Sequence, residues 1–223
     1  MMAGVLLAAG ASTRMGSPKA LVAEKGESFL ARGIRHLWSC CNEVVVVLGS
    51  NAPVVRERIE EEFERMVRAG KLHQDLRRAD RHGAAGLEVR FVVNRAWKKG
   101  MFRSARVGLR ESLRYRPEGI LVLPVDHPQV KPGTVHALAS VLRLALEACR
   151  SSRERNRFSY ALVPRHRRRR GHPLALSAAL ARAVVKDAGA ANLSDAVRRN
   201  ARLVGFLDVP DAGVVTNRNA PRR

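Results

Sequence analysis

Five short apolar runs, at residues 4–8, 43–48, 87–93, 119–124 and 159–163, are separated by stretches in which apolar residues recur with helical spacing. Runs this short and this continuously apolar suit strands buried on both faces, because a strand with one wet face alternates apolar and polar residues. Between them, Phe29, Ile34, Leu37 and Trp38 mark one face of a helix, and Val54, Val55, Ile59, Phe63 and Met66 mark a longer, heavily charged one. Leu109 and Leu113, then residues 134–149, supply two more. The alternation predicts an α/β fold: a Rossmann-like three-layer α/β/α sandwich with a mostly parallel central sheet. Such sheets bind ligands beyond the carboxyl ends of their strands, which is where functional residues are expected.

A chain of 223 residues encloses one full core, and no linker divides it, so a single domain over 1–223 is expected. Residues 69–86, with weak periodicity and several cations, read as an insertion in an exposed connection, and 151–157 as a shorter one. Lys and Arg number 41 against 20 Asp and Glu, a formal charge of +21 that attracts polyphosphates or nucleic acid alike. The arginine runs are scattered, which fits a generally solvated basic surface better than one dedicated groove. An aromatic share of 4% also argues against a surface that works by base stacking, so a nucleic-acid partner is not expected.

Three cysteines without a CxxC spacing read as free thiols in a reducing cytosol, and a cytoplasmic location is expected. The opening MMAGVLLAAGAS lacks a basic segment and is short in its apolar part, so it reads as a buried strand entering a loop rather than a signal peptide. The apolar stretch 135–149 is interrupted by Arg143 and Glu147, so no membrane span is expected.

The loop after the first strand, LAAGASTRMGSPK over residues 7–19, is built of small residues with Arg14 and Lys19 as its cations. Small side chains let backbone N–H groups close on an anion, and two cations neutralise charge on a transferring phosphoryl group. Gly10 and Gly16 do not make a GxGxxG fingerprint, and the Gly-Lys-Ser/Thr ending of a P-loop is missing.

The full spelling LAAGxSxRMGxxK resembles the signature of nucleotidyltransferases, in particular the MobA-like group that attaches CMP or GMP to molybdopterin cofactors. The resemblance implies the nucleotide-diphospho-sugar transferase type of fold. It also implies a loop that wraps base, ribose and triphosphate: Leu7, Ala8, Ala9, Gly10 and Ser12 on the substrate, Arg14 and Lys19 on the phosphates. Asn94, followed by Trp97, Gly100, Met101 and Ser104, is similar to the family's Asn…Gly-Met…Ser segment near the nucleotide. LPVDHP at 123–128 is similar to its strand-end motif, whose aspartate, here Asp126, holds Mg²⁺. GHP at 171–173 matches its element on the acceptor side, which brings in His172. Asn217, Arg218, Asn219, Ala220 and Pro221 resemble a degraded copy of the terminal Asp/Asn-x-Asp/Asn-Thr-Pro motif, with Asn217 as a second metal ligand.

Each segment has an ordinary alternative. Asp126 could cap a turn with Pro128, Ser104 could be a helix cap, Asn94 a loop amide, and His172 a turn residue. The run at 167–170 reads as a solvated loop, although its position before Gly171 could let one arginine reach an anionic acceptor. An asparagine at 217 brings no charge to the metal, and the tail could have drifted from the cleft. The expected activity is transfer of NMP from an NTP, CTP or GTP favoured, to a small acceptor such as a molybdopterin cofactor, with Mg²⁺ and release of pyrophosphate. Transfer to a sugar phosphate or methylerythritol phosphate is the rival within this chemistry. The rival from another class is a basic nucleic-acid-binding protein with an inactive nucleotide fold, marked by steep salt dependence without turnover.

Overall fold

The computed structural model describes residues 1–10, 18–49, 51–69, 88–149 and 151–218. The expected insertion, apart from Ala69, lies outside them, as do Ser12, Arg14, Asn219, Ala220 and Pro221. The first strand, β1 (Met2–Ala8), leads through a 3₁₀ turn at Lys19–Leu21 and a small hairpin, β2 (Ala23–Glu24) and β3 (Glu27–Ser28), to α1 (Phe29–Trp38). Then come β4 (Glu43–Leu48), α2 (Ala52–Arg68), β5 (Glu88–Val93), α3 (Met101–Ser112), β6 (Gly119–Pro124) and α4 (Pro132–Glu147). The second half holds α5 (Ser152–Arg157), β7 (Tyr160–His166), β8 (Arg169–Arg170), β9 (Leu174–Ser177), α6 (Ala178–Lys186), α7 (Leu193–Asn200) and β10 (Leu203–Asp208).

The main sheet has eight strands in the order β10-β7-β9-β6-β1-β4-β5, with β8 paired to β7. β1 pairs in parallel with β4 and β6, β4 with β5, and β7 with β10, while β9 runs antiparallel to both its neighbours. The expected mostly parallel sheet between helical layers is therefore present. Alternate residues of the central strands serve opposite layers, as the pleat requires. Met2 and Leu6, with Val44, Val46 and Leu121, pack with Leu30 and Ile34 of α1, Val55 and Ile59 of α2, and Leu138 and Leu142 of α4. Ala3, Val5 and Leu7, with Val45, Val47 and Val122, pack with Leu109 of α3, Leu180 of α6 and Val197 of α7.

Several details depart from the sequence reading. Val54 is half exposed; Ala52, Val55, Ile59 and Val67 form the buried face of α2, with Phe63 and Met66 only partly covered. The stretch 151–157 carries the short helix α5, and Arg155 pairs with Glu118, which also holds the Met1 ammonium at 2.9 Å. Strands β9 and β10 and helices α6 and α7 were not anticipated. All three cysteines are free, as expected. No helix among the described residues is long and apolar enough to cross a membrane.

Helix α3 lies close on the sheet because Gly108 presents no side chain. A Cβ there would overlap Val5 Cγ1 and stand 2.8 Å from Val47 Cγ2, both in the fully buried layer. Gly108→Ala is expected to push α3 off β1 and β4 and to cost about 1–3 kcal/mol. Urea unfolding of the two proteins under identical conditions measures it, with a lower midpoint at unchanged slope as the expected outcome.

Candidate active site

A cleft of about 350 Å³ opens at the carboxyl ends of β1, β4 and β6. Its floor is the end of β1 and the start of the loop beyond it: Leu7, Ala8, Ala9 and Gly10 all line the cleft. Lys19 and Asp126 face each other across it, with Nζ 3.9 Å from Oδ2 and side chains 16% and 27% exposed. Asp126 reaches the rim because the β6 strand ends at Pro124, and the Val125 N–H still donates to the Leu7 carbonyl at 3.0 Å. The carboxylate therefore starts one residue past the last rung tying β6 to β1.

Two helices begin at the same rim. The N-cap residues Asn51 of α2 and Gly100 of α3 line the cleft, and neither uses a side chain to cap its own helix. Their first-turn N–H groups and the positive ends of their dipoles favour an anion in the space between them. Gly100 has φ 99° and ψ 167°, a region essentially reserved for glycine, and this turns the chain from the Trp97–Lys99 turn into α3. Gly49 allows a second close approach: a Cβ on it would overlap the Ala9 carbonyl.

Ser104 lines the cleft, whereas Asn94 sits behind it. Both are buried, and Asn94 Nδ2 donates to Ser104 Oγ at 3.0 Å while Asn94 Oδ1 accepts from the Ala96 N–H at 3.0 Å. The amide thus closes a turn and orients the hydroxyl. His172 also stands outside the residues that line the cleft. Its ring meets His127 edge-on at 4.9 Å between centroids, and His127 Nε2 lies 4.0 Å from Asp126 Oδ1. The His172 N–H donates to the Val214 carbonyl at 2.9 Å, and its Nδ1 is buried without a partner among the described residues.

The arginine run forms the tip of the β7–β8 hairpin. Arg167 and Arg168 take left-handed conformations at φ 49° and 64°, and residues 167–170 are exposed. Arg165 and Arg170 stand over the Phe206 ring at 4.6 and 5.0 Å, and Arg165 also pairs with Asp208 at 2.7 Å.

The terminal segment lies beside the metal-ligand candidate. The Arg218 N–H donates to the Asp126 carbonyl at 2.7 Å, and Asn217, the residue before it, is exposed. Asp211 anchors this segment: its carboxylate accepts from the Lys131 N–H at 2.8 Å and from Thr134 Oγ1 at 2.7 Å. Among the described residues no three His, Cys, Asp or Glu side chains form a group able to hold a metal.

Sequence reasoning placed Leu7, Ala8, Ala9, Gly10, Lys19, Gly100, Ser104 and Asp126 in the site, and the structure brings all of them to one cleft. It missed Gly49, Asn51 and Lys98, which line the same cleft. A signal existed for the first two: Gly49 and Asn51 follow an apolar strand and precede a helix with Pro53 in its first turn, at the strand end where a parallel sheet binds ligands.

Comparisons with known proteins bear on the family and the fold. A family model described as MobA-like NTP transferase domain matches residues 4–203. The chain is 32% identical over 212 residues to a nicotine blue oxidoreductase of Paenarthrobacter nicotinovorans, spanning 93% of this chain and 87% of that one. It is 39% identical over 59 residues to a probable molybdenum cofactor guanylyltransferase of Bacillus cereus, 26% of this chain and 28% of the relative. Among solved structures, a nucleotidyl transferase from Methanothermobacter thermautotroptrophicus superimposes with TM-score 0.65 at 20% identity, covering 99% of this chain and 92% of that one. Rv0371c of Mycobacterium tuberculosis in complex with manganese superimposes with TM-score 0.60 at 22% identity, covering 93% and 88%.

Burial holds His172 neutral, its pKa pushed down to about 4 with a small further push from His127; His36 on α1 is likewise lowered to about 4 by burial and by Arg35. Between their ordinary value of 6.5 and about 4, the unfolded chain binds protons that the folded chain does not. Stability is therefore expected to fall as pH drops through that window, by up to about 1.4 kcal/mol per pH unit for each histidine. Urea midpoints measured from pH 7 to pH 4 check this, and His36→Leu is expected to flatten the slope.

Proposed function

The chain belongs to the MobA-like NTP transferase family and is a nucleotidyltransferase, and from that premise we propose that it transfers CMP or GMP from the triphosphate to a small acceptor of the molybdopterin-cofactor type. The observation that carries this reading is the cleft itself, where Lys19 and Asp126 stand 3.9 Å apart beside two helix N-termini. A cation, a carboxylate and two sets of N–H groups converging on one space suit a polyphosphate better than any neutral ligand.

In the proposed complex the base and ribose rest on the backbone of Leu7, Ala8, Ala9 and Gly10 and the triphosphate reaches Lys19; roles for Ser12 on the substrate and Arg14 on the phosphates follow from the spelling of residues 7–19 alone. Ser104, held by Asn94, offers its hydroxyl to the ribose or phosphate at the mouth of α3. The acceptor's oxygen attacks the α-phosphorus in line; the new P–O bond forms as the bond to pyrophosphate breaks. Positioning and charge neutralisation carry such a step, and no protein nucleophile is required. The acceptor enters from the side of Gly171 and His172, where the buried neutral imidazole meets His127 edge-on.

Asp126, with Asn217 next to the residue that bonds its carbonyl, is the place for a divalent cation, and we assign it to Mg²⁺. A single carboxylate with no surrounding cluster among the described residues fits an ion that is shared with substrate phosphates and water rather than caged by protein. When bound, Mg²⁺ supplies charge neutralisation to the triphosphate and its leaving group. The manganese complex of the structural relative supports a divalent ion on this fold.

A second reading follows from one observation: the relative matched over 93% of the chain is named an oxidoreductase. On that reading the cleft holds a redox nucleotide, although residues 10–16 lack the dinucleotide glycine pattern. The purified protein is to be incubated with each NTP, Mg²⁺ and candidate acceptors while pyrophosphate is followed, and in parallel with NAD(P)H and quinoid acceptors. Pyrophosphate release with one NTP–acceptor pair is expected. Nicotinamide oxidation in its absence would favour the second reading.

Asp126→Ala is expected to leave unfolding unchanged and to lower metal-dependent turnover at least about a hundredfold, since it removes the charged ligand at the strand end. Normal turnover would remove Asp126 from the metal site. Lys19→Ala is expected to weaken NTP binding by about tenfold while NMP binding changes little, because its ammonium faces the phosphate tail. Equilibrium titration with the two nucleotides checks it, and equal losses would move Lys19 to the base or the scaffold.

A further inference from the structure

Three separate parts of the chain meet at the Arg218 side chain. Its Nη2 donates to Glu24 Oε1 at 2.8 Å, and the Gln129 carboxamide, assigned with its oxygen toward the guanidinium because the opposite orientation would set donor against donor, accepts from Nη2 at 2.7 Å and from Nε at 3.1 Å. The Arg218 backbone N–H bonds the Asp126 carbonyl from the same residue. The Arg218 and Glu24 side chains are 15% and 25% exposed, so this pair is better shielded than an ordinary surface ion pair. Glu24 is fixed from the α1 side as well: Arg32 donates Nη1 to its Oε2 at 3.2 Å and Nη2 to its carbonyl at 2.6 Å.

What the guanidinium joins gives these bonds their meaning. Glu24 lies on the β2–β3 hairpin, which follows directly on the turn that carries Lys19. Asp126 and Gln129 lie on the loop that leaves β6. Among the described residues the hairpin is a two-stranded sheet of its own, with no ladder to the main sheet, so side chains help to fix its distance from that loop. A planar fork that donates along two edges suits this task, and a lysine ammonium does not reproduce it.

We propose that Arg218 is a positioning residue for nucleotidyl transfer, clamping the Glu24 hairpin to the 126–129 loop and so setting the gap between Lys19 and Asp126 that the triphosphate and its metal must span. The inference rests on the reading of the cleft given above. The β1 backbone still binds the nucleotide when the clamp is lost, so the loss falls on the metal-dependent step.

The test uses Arg218→Met, Glu24→Gln, the double variant and Arg218→Lys in the full chain. Pyrophosphate release, Mn²⁺ binding by electron paramagnetic resonance with a non-hydrolysable NTP, and hydrogen exchange of peptides covering 19–28 and 125–130 are measured on each. Each single variant is expected to lower kcat about ten- to hundredfold with KM for NTP within about threefold of wild type. The double variant should be no worse than the worse single one, as a shared contact requires, and Arg218→Lys should recover little. Mn²⁺ binding should weaken about tenfold, and exchange should quicken in both peptides together. Additive losses in the double variant, or faster exchange confined to the tail with wild-type Mn²⁺ affinity, would overturn the proposal. Should Arg218→Met fail to fold, Arg218→Lys carries the same comparison, since it keeps the charge and removes the fork. If the wild type releases no pyrophosphate with any NTP, the reading of the cleft fails; the clamp is then decided by exchange and Mn²⁺ binding, with coupled changes supporting it and independent ones overturning it.

Discussion

The arrangement of the cleft depends on β1 having no wet face. Every residue from Met2 to Leu7 is buried, odd positions against α3, α6 and α7 and even ones against α1, α2 and α4. A strand of this kind is stable only when helices cover both sides, so each crossover must carry the chain back to the amino end before the next parallel strand begins. The carboxyl ends of β1, β4 and β6 consequently share one rim, and the starts of α2 and α3 open onto it. Gly4, opposite Leu37, and Gly108, opposite Val5 and Val47, let α1 and α3 lie close on the two faces. The cleft is therefore a by-product of the core, and its shape is only as firm as the packing beneath it.

Charge then decides what the cleft can hold. The chain carries +21, yet much of the basic surface is engaged within the molecule: Arg35 with Glu27, Arg155 with Glu118, Arg165 with Asp208 and Arg199 with Asp187. At the rim the balance is different, because Asp126 and Lys19 face each other and the helix N-termini add positive potential. On the proposed reading, substrate binding exchanges partners, with the ammonium passing to phosphate and the carboxylate to the metal. The pair keeps both groups aimed at the cleft until then.

Much of this was legible in the residues. Strands β1, β4 and β6 announce themselves as runs of five or six nearly all apolar residues, and the motifs at residues 7–19, 94–104 and 123–128 fall where a parallel sheet puts its ligands. Other parts were illegible for physical reasons. β9 spans only Leu174–Ser177 and passes directly into α6, so no turn marks its end; β10 is an edge strand whose residues are mostly half-buried or exposed, so its apolar signal is weak. Asn94 and His172 were read as substrate contacts, but spacing along a chain says nothing about which way a side chain points. The structure turns Asn94 toward Ser104 and His172 toward His127.

The tail shows why a degraded motif need not mean a displaced segment. Asn217 and Asn219 keep the spacing of the pattern they resemble, while Ala220 and two terminal arginines depart from it. The exposed Asn217 side chain is not what holds the segment where it is. Asp211 does so six residues earlier, buried and accepting from Lys131, Thr134 and the Gly213 N–H, and the Arg218 backbone completes the attachment at the Asp126 carbonyl. Backbone bonds are blind to residue type, and an anchor set apart from the motif frees the motif to vary. The exposed side chain at 217 can therefore change in charge beside Asp126 without releasing the chain from the rim.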